Sequence, residues 1–216
     1  MTVLVIDTTG PWCAAGLVGP DAAWHEAGEP IGRGHAERLA PMVQALLKQA
    51  GIVPGALDRI GVATGPGSFA GTRVGVAFAR GLALATGAKA LGISSLQAWA
   101  RRADPDRHWS VAAIHDARRG DLLWQVFTDG APVSGVERGG VEDARAALSA
   151  YGDIHMTGSG AVLLGADPAH FTVEPPLKAL SALTGEAPHD APPPAPLYAR
   201  RPDAKLPGGR DPEPVA

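Results

Sequence analysis

ATGPGSFAGTRVGVAFARGLALA, residues 63–85, is the stretch on which the fold turns. Residues 59–64 (RIGVAT) read as a buried strand and Gly65-Pro66-Gly67-Ser68 as a loop. Residues 70–86 then read as a long helix of small and apolar side chains, ended by Gly87. Strand, glycine turn and helix in that order make one unit of an α/β protein. Upstream, residues 2–9, 12–18 and 22–27 are three short strands separated by turn signals, an antiparallel meander. Leu39, Met42, Val43, Leu46, Leu47 and Ala50 share one face of an amphipathic helix closed by Gly51. Pro41 removes an amide donor inside that pattern, so the helix is expected either to kink or to begin only near Ala40. Downstream come a strand at 90–93 and a helix over 94–102, so the first hundred residues read β-β-β-α-β-α-β-α, a mixed sheet with packed helices.

The polar stretch 101–108, containing Pro105, marks a boundary. Beyond it, strands are expected at 110–115, 122–128 and 154–157 and helices at 141–151 and 177–184. From Pro188 on, 9 of the 20 prolines fall in 29 residues, which predicts an extended, partly disordered tail. No sequence repeat of 20–50 residues is visible. A chain of 216 residues is one large domain or two small ones, and 45% hydrophobic residues exclude a disordered chain. Residues 1–100 carry a net charge of +1 and the remainder −4, so neither half has the basic excess of a stand-alone nucleic-acid binder. The single cysteine, Cys13, excludes an intramolecular disulfide and a thiolate zinc site. No apolar run reaches membrane-spanning length and the N-terminus lacks a basic leader, so no membrane is expected and the cytoplasm is the expected location.

Residues 65–70 formally match the G-x-G-x-x-A dinucleotide fingerprint. Three features oppose that reading: the motif does not follow the first strand, Pro66 removes a donor from the turn, and no acid follows the next strand. A P-loop lysine is missing, and Pro66 stands where a nucleophile elbow needs glycine. A glycine turn that merely starts a helix is the plain alternative. Within the helix, Gly71, Gly75, Ala79 and Ala83 recur every four residues, a smooth ridge. Residues 74, 77, 78, 81, 82 and 85 supply an apolar face for this chain's own sheet, so the ridge is expected to meet a partner helix; packing on the sheet is the alternative. Asp7-Thr8-Thr9 ends the first strand where actin-like and sugar-kinase-like folds hold a metal and phosphate, and a locally bonded Asx turn explains it equally well. No histidines stand at i, i+4, which argues against a histidine metal centre. Asp116-Ala117-Arg118-Arg119-Gly120 reads as a solvated hairpin turn or as a partner-facing patch.

Taken together, VLVIDTT at 3–9, GHAERLAPMV at 34–43, the stretch 63–85, GISSLQ at 92–97, IHDARRGDLLW at 114–124 and PLYARRPDAK at 196–205 resemble the bacterial TsaB family. His115 is a departure, since many relatives read I-D-A-R without it. The resemblance implies an actin-like (ASKHA) α/β fold of two RNase H-like mixed-sheet subdomains with flanking helices. These would be 1–103, carrying partner-binding helices, and a reduced 104–200, with a flexible proline-rich tail at 201–216. It implies a non-catalytic scaffold and dimerisation subunit in making N6-threonylcarbamoyladenosine in tRNA, docking a TsaD-like catalytic paralogue through its first two helices and joined by a TsaE-like ATPase. The expected interface is His35, Leu39, Gly71, Arg73, Gly75, Ala79 and Ala83. Asp7, Thr8, Thr9, Gly65, Gly67 and Ser68 would be the remnant of a phosphate site. ATP and a metal ion would be used by the partner subunits, none by this chain. Contact with tRNA would come only through the complex, and the free chain could pair with itself. The rival reading is an actin-fold ATPase or phosphotransferase built on Asp7 and the 65–68 loop, with Gly158-Ser159-Gly160 as its only second loop.

Overall fold

A computed structural model of the chain describes residues 1–168 and 173–198. Apolar residues drive the first strand, β1 (Val3–Asp7), wholly into the interior. It pairs antiparallel with β2 (Trp12–Val18), which pairs antiparallel with β3 (Trp24–Pro30), the expected meander. On its other edge β1 runs parallel to β4 (Arg59–Ala63), and β4 to β5 (Lys89–Ile93), giving the order β3-β2-β1-β4-β5. Because side chains alternate along a strand, Leu4 and Ile6 face one side and Val3 and Val5 the other. The Leu4 side is covered by α1 (His35–Gln49) and α2 (Phe69–Thr86). Helix α1 starts at His35 and runs through Pro41, so neither a start near Ala40 nor an interruption there is seen. Its buried stripe is Leu39, Val43, Leu46 and Leu47, as the periodicity predicts.

The second sheet is smaller. β6 (Ser110–Asp116) pairs antiparallel with β7 (Leu122–Thr128) and parallel with β10 (His155–Thr157). Two short strands, β8 (Ala131–Pro132) and β9 (Glu137–Gly139), edge β7 and were not legible in the sequence. Helix α4 (Val141–Ser149) packs on one face through Ala144 and Leu148. Two mixed sheets with flanking helices, the second reduced, are the expected architecture.

A division at residue 103 separates the strands but not the helices. Helix α3 (Ser95–Ala103) sends Leu96 and Ala100 against Val111, Ala113 and Phe127 of the second sheet, while Ala98 faces the first. Helix α5 (Leu177–Glu186), from the later half of the chain, lays Leu177, Leu180 and Leu183 on the Val3–Val5 face of the first sheet. At its C-terminus α5 leaves carbonyls that need donors. The Arg59 guanidinium of β4 supplies them, donating from one nitrogen to the oxygens of Thr184 (2.8 Å), Gly185 (3.2 Å) and Ala187 (2.8 Å). Glu186, at the same end, binds Arg101 of α3 at 2.7 Å and also Arg107. Residues 188–198 hold neither helix nor strand, as the prolines require, but they are not loose. The Leu197 amide donates to the Thr64 carbonyl at 2.7 Å, and Pro194 lies against Gly92. This corrects the expectation of disorder from 188; the 201–216 tail lies outside the described residues.

Hydrogen bonds from a charged group are worth about 1.5–3 kcal/mol net of what water returns, and the three here share one nitrogen. Arg59→Leu is therefore expected to lower unfolding free energy by roughly 2 kcal/mol in urea melts, with Arg59→Lys recovering part of it.

Candidate functional site

The structure brings Asp7, Thr8, Thr9, Gly65, Gly67 and Ser68 together where β1 and β4 end. Each is already committed to its neighbours. Asp7 Oδ1 accepts from the Thr9 amide (2.8 Å) and the Thr9 hydroxyl (2.7 Å), the Asx-turn reading. Burial pushes the Asp7 carboxyl above its ordinary value, opposed by the two Thr9 bonds and, more weakly, by the Arg102 charge. The Ser68 amide donates to the Thr9 carbonyl at 2.6 Å, and a Cβ on Gly67 would collide with that same carbonyl. Gly65 holds a left-handed backbone (φ +94°), with the Leu197 carbonyl 2.8 Å from where a side chain would begin. Ser68 caps α2, its hydroxyl accepting from the Gly71 amide at 3.2 Å. The space beside Gly65 and Gly67 is taken by the chain's own backbone.

The ridge on α2 closes the same contact. Thr8 Oγ1 donates to the Gly71 carbonyl at 2.7 Å. A Cβ on Gly71 would strike the Thr8 carbonyl; one on Gly75 would sit 2.5 Å from Thr8 Oγ1 and 3.3 Å from Val62. Ala79 is fully buried and Ala83 partly, both in the core shared with α1. The expected orientation of α2 holds in part: Val74, Phe78 and Leu82 pack on the core as expected, but Gly71, Gly75 and Ala79 meet the sheet as well, while Ala77, Gly81 and Ala85, expected to face it, are exposed. The reason is proximity, since only a glycine-lined face lets α2 reach the end of β1. His35 and Leu39 are corrected likewise. Leu39 is core, and the buried His35 ring places Nε2 3.2 Å from the Gly10 carbonyl. Of the seven expected interface residues Arg73 alone is well exposed. Its guanidinium lies 3.8 Å from the Phe69 ring centroid, and its Nε donates to the Tyr198 hydroxyl at 2.8 Å. The sequence reading missed Phe69 and Tyr198; the one signal was PLY at 196–198, which no periodicity ties to α2.

In the second half Gly158-Ser159-Gly160 is also filled from within. The Gly160 amide donates to the Ile114 carbonyl at 2.9 Å, and Ser159 Oγ accepts from the Asp116 amide at 3.0 Å. His115 lies in β6 opposite Leu123, with Nδ1 3.4 Å from Ser159 Oγ and its ring 5.9 Å from that of Trp99. Burial pushes its pKa down to about 4. Asp116 to Gly120 forms the hairpin turn: Asp116 Oδ1 accepts from the Arg118 amide at 2.8 Å, and Arg118, Arg119 and Gly120 are all left-handed. Among the described residues no three His, Cys, Asp or Glu side chains are grouped to hold a metal, and no helix is long and apolar enough to cross a membrane.

A family model described as TsaD, tRNA N6-adenosine threonylcarbamoyltransferase, matches residues 29–133. An uncharacterized protein of Mycobacterium tuberculosis is 34% identical over 218 residues, 94% of each chain. Escherichia coli TsaB, a tRNA threonylcarbamoyladenosine biosynthesis protein, is 34% identical over 128 residues, which are 59% of this chain and 55% of that protein. Bacillus subtilis TsaB, at 35% over 130 residues, matches to a similar extent. Among solved structures, YeaZ from Pseudomonas aeruginosa has a TM-score of 0.72 at 29% identity, covering 86% of this chain and 91% of its own. A second Pseudomonas aeruginosa structure, titled as similar to peptidase YeaZ, reaches 0.76 at 28%, covering 92% and 99%.

Gly75→Leu is expected to overpack the contact with Thr8 and Val62 by about 1–3 kcal/mol or more, outweighing the ~0.8 kcal/mol that leucine adds as a helix former. A melting temperature several degrees below the parent checks this. His115 supplies a pH signature. Its folded pKa lies below the ordinary value of 6.5, so the unfolded chain takes up the proton first. Its contribution is intact above pH 6.5 and is lost as pH falls toward about 4, by about 3 kcal/mol at most. Asp7 tilts the other way, its raised value favouring the fold less as pH climbs above 3.8. Urea melts of parent and His115→Gln at pH 7 and pH 4.5 should show the loss on acidification shrinking in the variant.

Proposed function

Since this chain belongs to the TsaB family, we propose that it acts in tRNA threonylcarbamoyladenosine biosynthesis as a non-catalytic scaffold. In this reading it docks a TsaD-like catalytic paralogue in the cytoplasm and leaves chemistry to its partners. One observation carries it. Helix α2 is apolar nearly all round: among its 18 residues Arg73 and Arg80 are the only charged side chains. A helix of that kind belongs in an interior, with both faces covered. Its glycine face is pressed on β1, yet its outer face is open, with Ala77, Gly81 and Ala85 exposed and Leu84 at 90%. Alongside it α1 presents Ala36, Ala40 and Pro41. Two small-residue helix faces side by side invite a second helix pair at the near end of the usual 8–10 Å spacing.

The rival ATPase or phosphotransferase reading gains no support from the geometry. A nucleotide cradle needs free backbone amides and open space beside its glycines. Here the Ser68 and Gly160 amides are bonded within the chain, and Gly65 and Gly67 are met by carbonyls of Leu197 and Thr9. Asp7, the one carboxylate at the cradle, spends an oxygen on Thr9. A TsaD-like subunit and a TsaE-like ATPase would supply the metal and ATP chemistry, and tRNA would be met through the assembled complex. Self-pairing of the free chain would use the same helix faces.

Ala77→Trp places a large ring at the centre of the open face without touching the core. The variant is expected to melt like the parent while its affinity for the TsaD-like paralogue of the same cell falls by more than about tenfold, ~1.4 kcal/mol. Calorimetry or co-purification checks this, and undiminished pairing would remove the docking face from the account.

A further inference from the structure

The open face of α2 carries charge as well as small residues, and the charge is of one sign. Arg73 and Arg80 stand seven residues apart, two turns and about 10 Å along the axis. Both are exposed on the side that bears Ala77 and Leu84. Arg73 is already held. Its guanidinium is stacked 3.8 Å from the Phe69 centroid and 5.4 Å from that of Tyr198, and its Nε bonds the Tyr198 hydroxyl. A guanidinium has five N–H donors, and the remaining four of Arg73 meet no acceptor among the described residues. Arg80 has no hydrogen bond or ion pair among them at all. Helix α2 contains no acid and α1 only Glu37, while Arg38 of α1 is taken by Glu29 at 2.6 Å and Lys48 adds a further cation.

We infer that this face selects its partner by charge: it takes a protein helix surface bearing two carboxylates opposite Arg73 and Arg80, and it disfavours a second copy of this chain. The inference rests on the docking role proposed above. A two-fold pair brings a patch against itself. Among the described residues of α1 and α2, self-pairing would therefore set Lys48, Arg73 and Arg80 against the same three cations with Glu37 alone to offset them, and like charges at an interface are penalised. A paralogue with acids at those places turns the same cations into attraction. The aromatic stack adds to this, because an arginine already fixed in orientation loses little freedom on binding. An RNA partner fits less well. The surface between the cations is Ala77, continued beyond Arg80 by Gly81 and Leu84, none of which offers a side-chain donor to phosphate.

The test uses the full chain and an Arg73→Glu/Arg80→Glu variant, each at exposed positions, with thermal melts confirming that both fold. In sedimentation equilibrium near 0.01 M ionic strength, where the screening length is about 30 Å, an equimolar mixture should form mixed pairs at least about tenfold tighter than either protein alone. Raising ionic strength to about 0.1 M, where that length is about 10 Å, should weaken the mixed pair and tighten parent self-pairing about threefold. Arg73→Gln/Arg80→Gln should tighten self-pairing at low salt without any mixing. Mixed pairs no tighter than the parent pair, or parent pairing that is strongest at low salt, overturn the inference. So does a loss confined to tRNA retention in filter binding. Adding Ala77→Trp to the mixture separates the two levels. If it abolishes pairing while the charge exchange changes nothing, only the selection by charge falls. If it changes nothing, the docking role and this inference fall together.

Discussion

Helix α2 lies so close to the end of β1 that a hydroxyl of one, Thr8 Oγ1, donates directly to a backbone carbonyl of the other, Gly71. That contact sets the rest of the first sheet. It is possible only where α2 has no side chain, and so Gly71 and Gly75 both face inward although glycine inside a helix costs up to ~1 kcal/mol each relative to alanine. What offsets the cost is a buried hydrogen bond and a close fit against Val62 and Ile6. Once α2 is drawn in this far, the loop before it has nowhere to stand off. The Ser68 amide reaches the Thr9 carbonyl, and the space beside Gly67 is taken by Thr9. Tight seating of the helix thus closes the turn into an interior contact.

Closure on one side has a consequence on the other. A helix with small residues on its inward face and equally small ones outward, Ala77, Gly81 and Ala85, offers its own sheet all the packing that the sheet can use and still keeps an uncovered apolar side. An uncovered apolar side and a closed turn are then two outcomes of one packing decision, not separate properties. The C-terminal chain reinforces it. Residues 194–197 lie over Gly92 and Gly65, and Tyr198 comes round to the first turn of α2, where it fixes Arg73 at the rim of the open face.

Much of this was readable from residues. The alternation of β1, the meander and the stripe on α1 are local patterns with one solution each, and the structure follows them. The orientation of α2 was not readable, for a physical reason. Small residues occupy both of its faces, so periodicity alone cannot say which is inside. The deciding group is Thr8, 63 residues earlier than the carbonyl it bonds. The same limit applies to Tyr198, whose partners on α2 lie 125 residues away, and to His115, whose environment is made by Ser159 and Trp99 from different elements. The order of residues 188–198 is likewise not legible from their prolines. Proline forbids helix and central strand, but it does not forbid an extended chain from lying on glycines that leave room for it.

The two sheets are also less independent than their strands suggest. Helix α5 is encoded after the second sheet yet supplies half the cover of the first, and α3, encoded with the first, packs largely on the second. Arg59 of the first sheet closes the end of α5, and Glu186 at that end binds Arg101 and Arg107 beside α3. A relative movement of the halves, such as a nucleotide cleft would need, must therefore break a cation–carbonyl cluster and two ion pairs as well as shear two helices across their sheets. A brace of this kind favours a rigid presentation of α1 and α2, which would serve the docking proposed for them, since freedom lost on binding is subtracted from affinity.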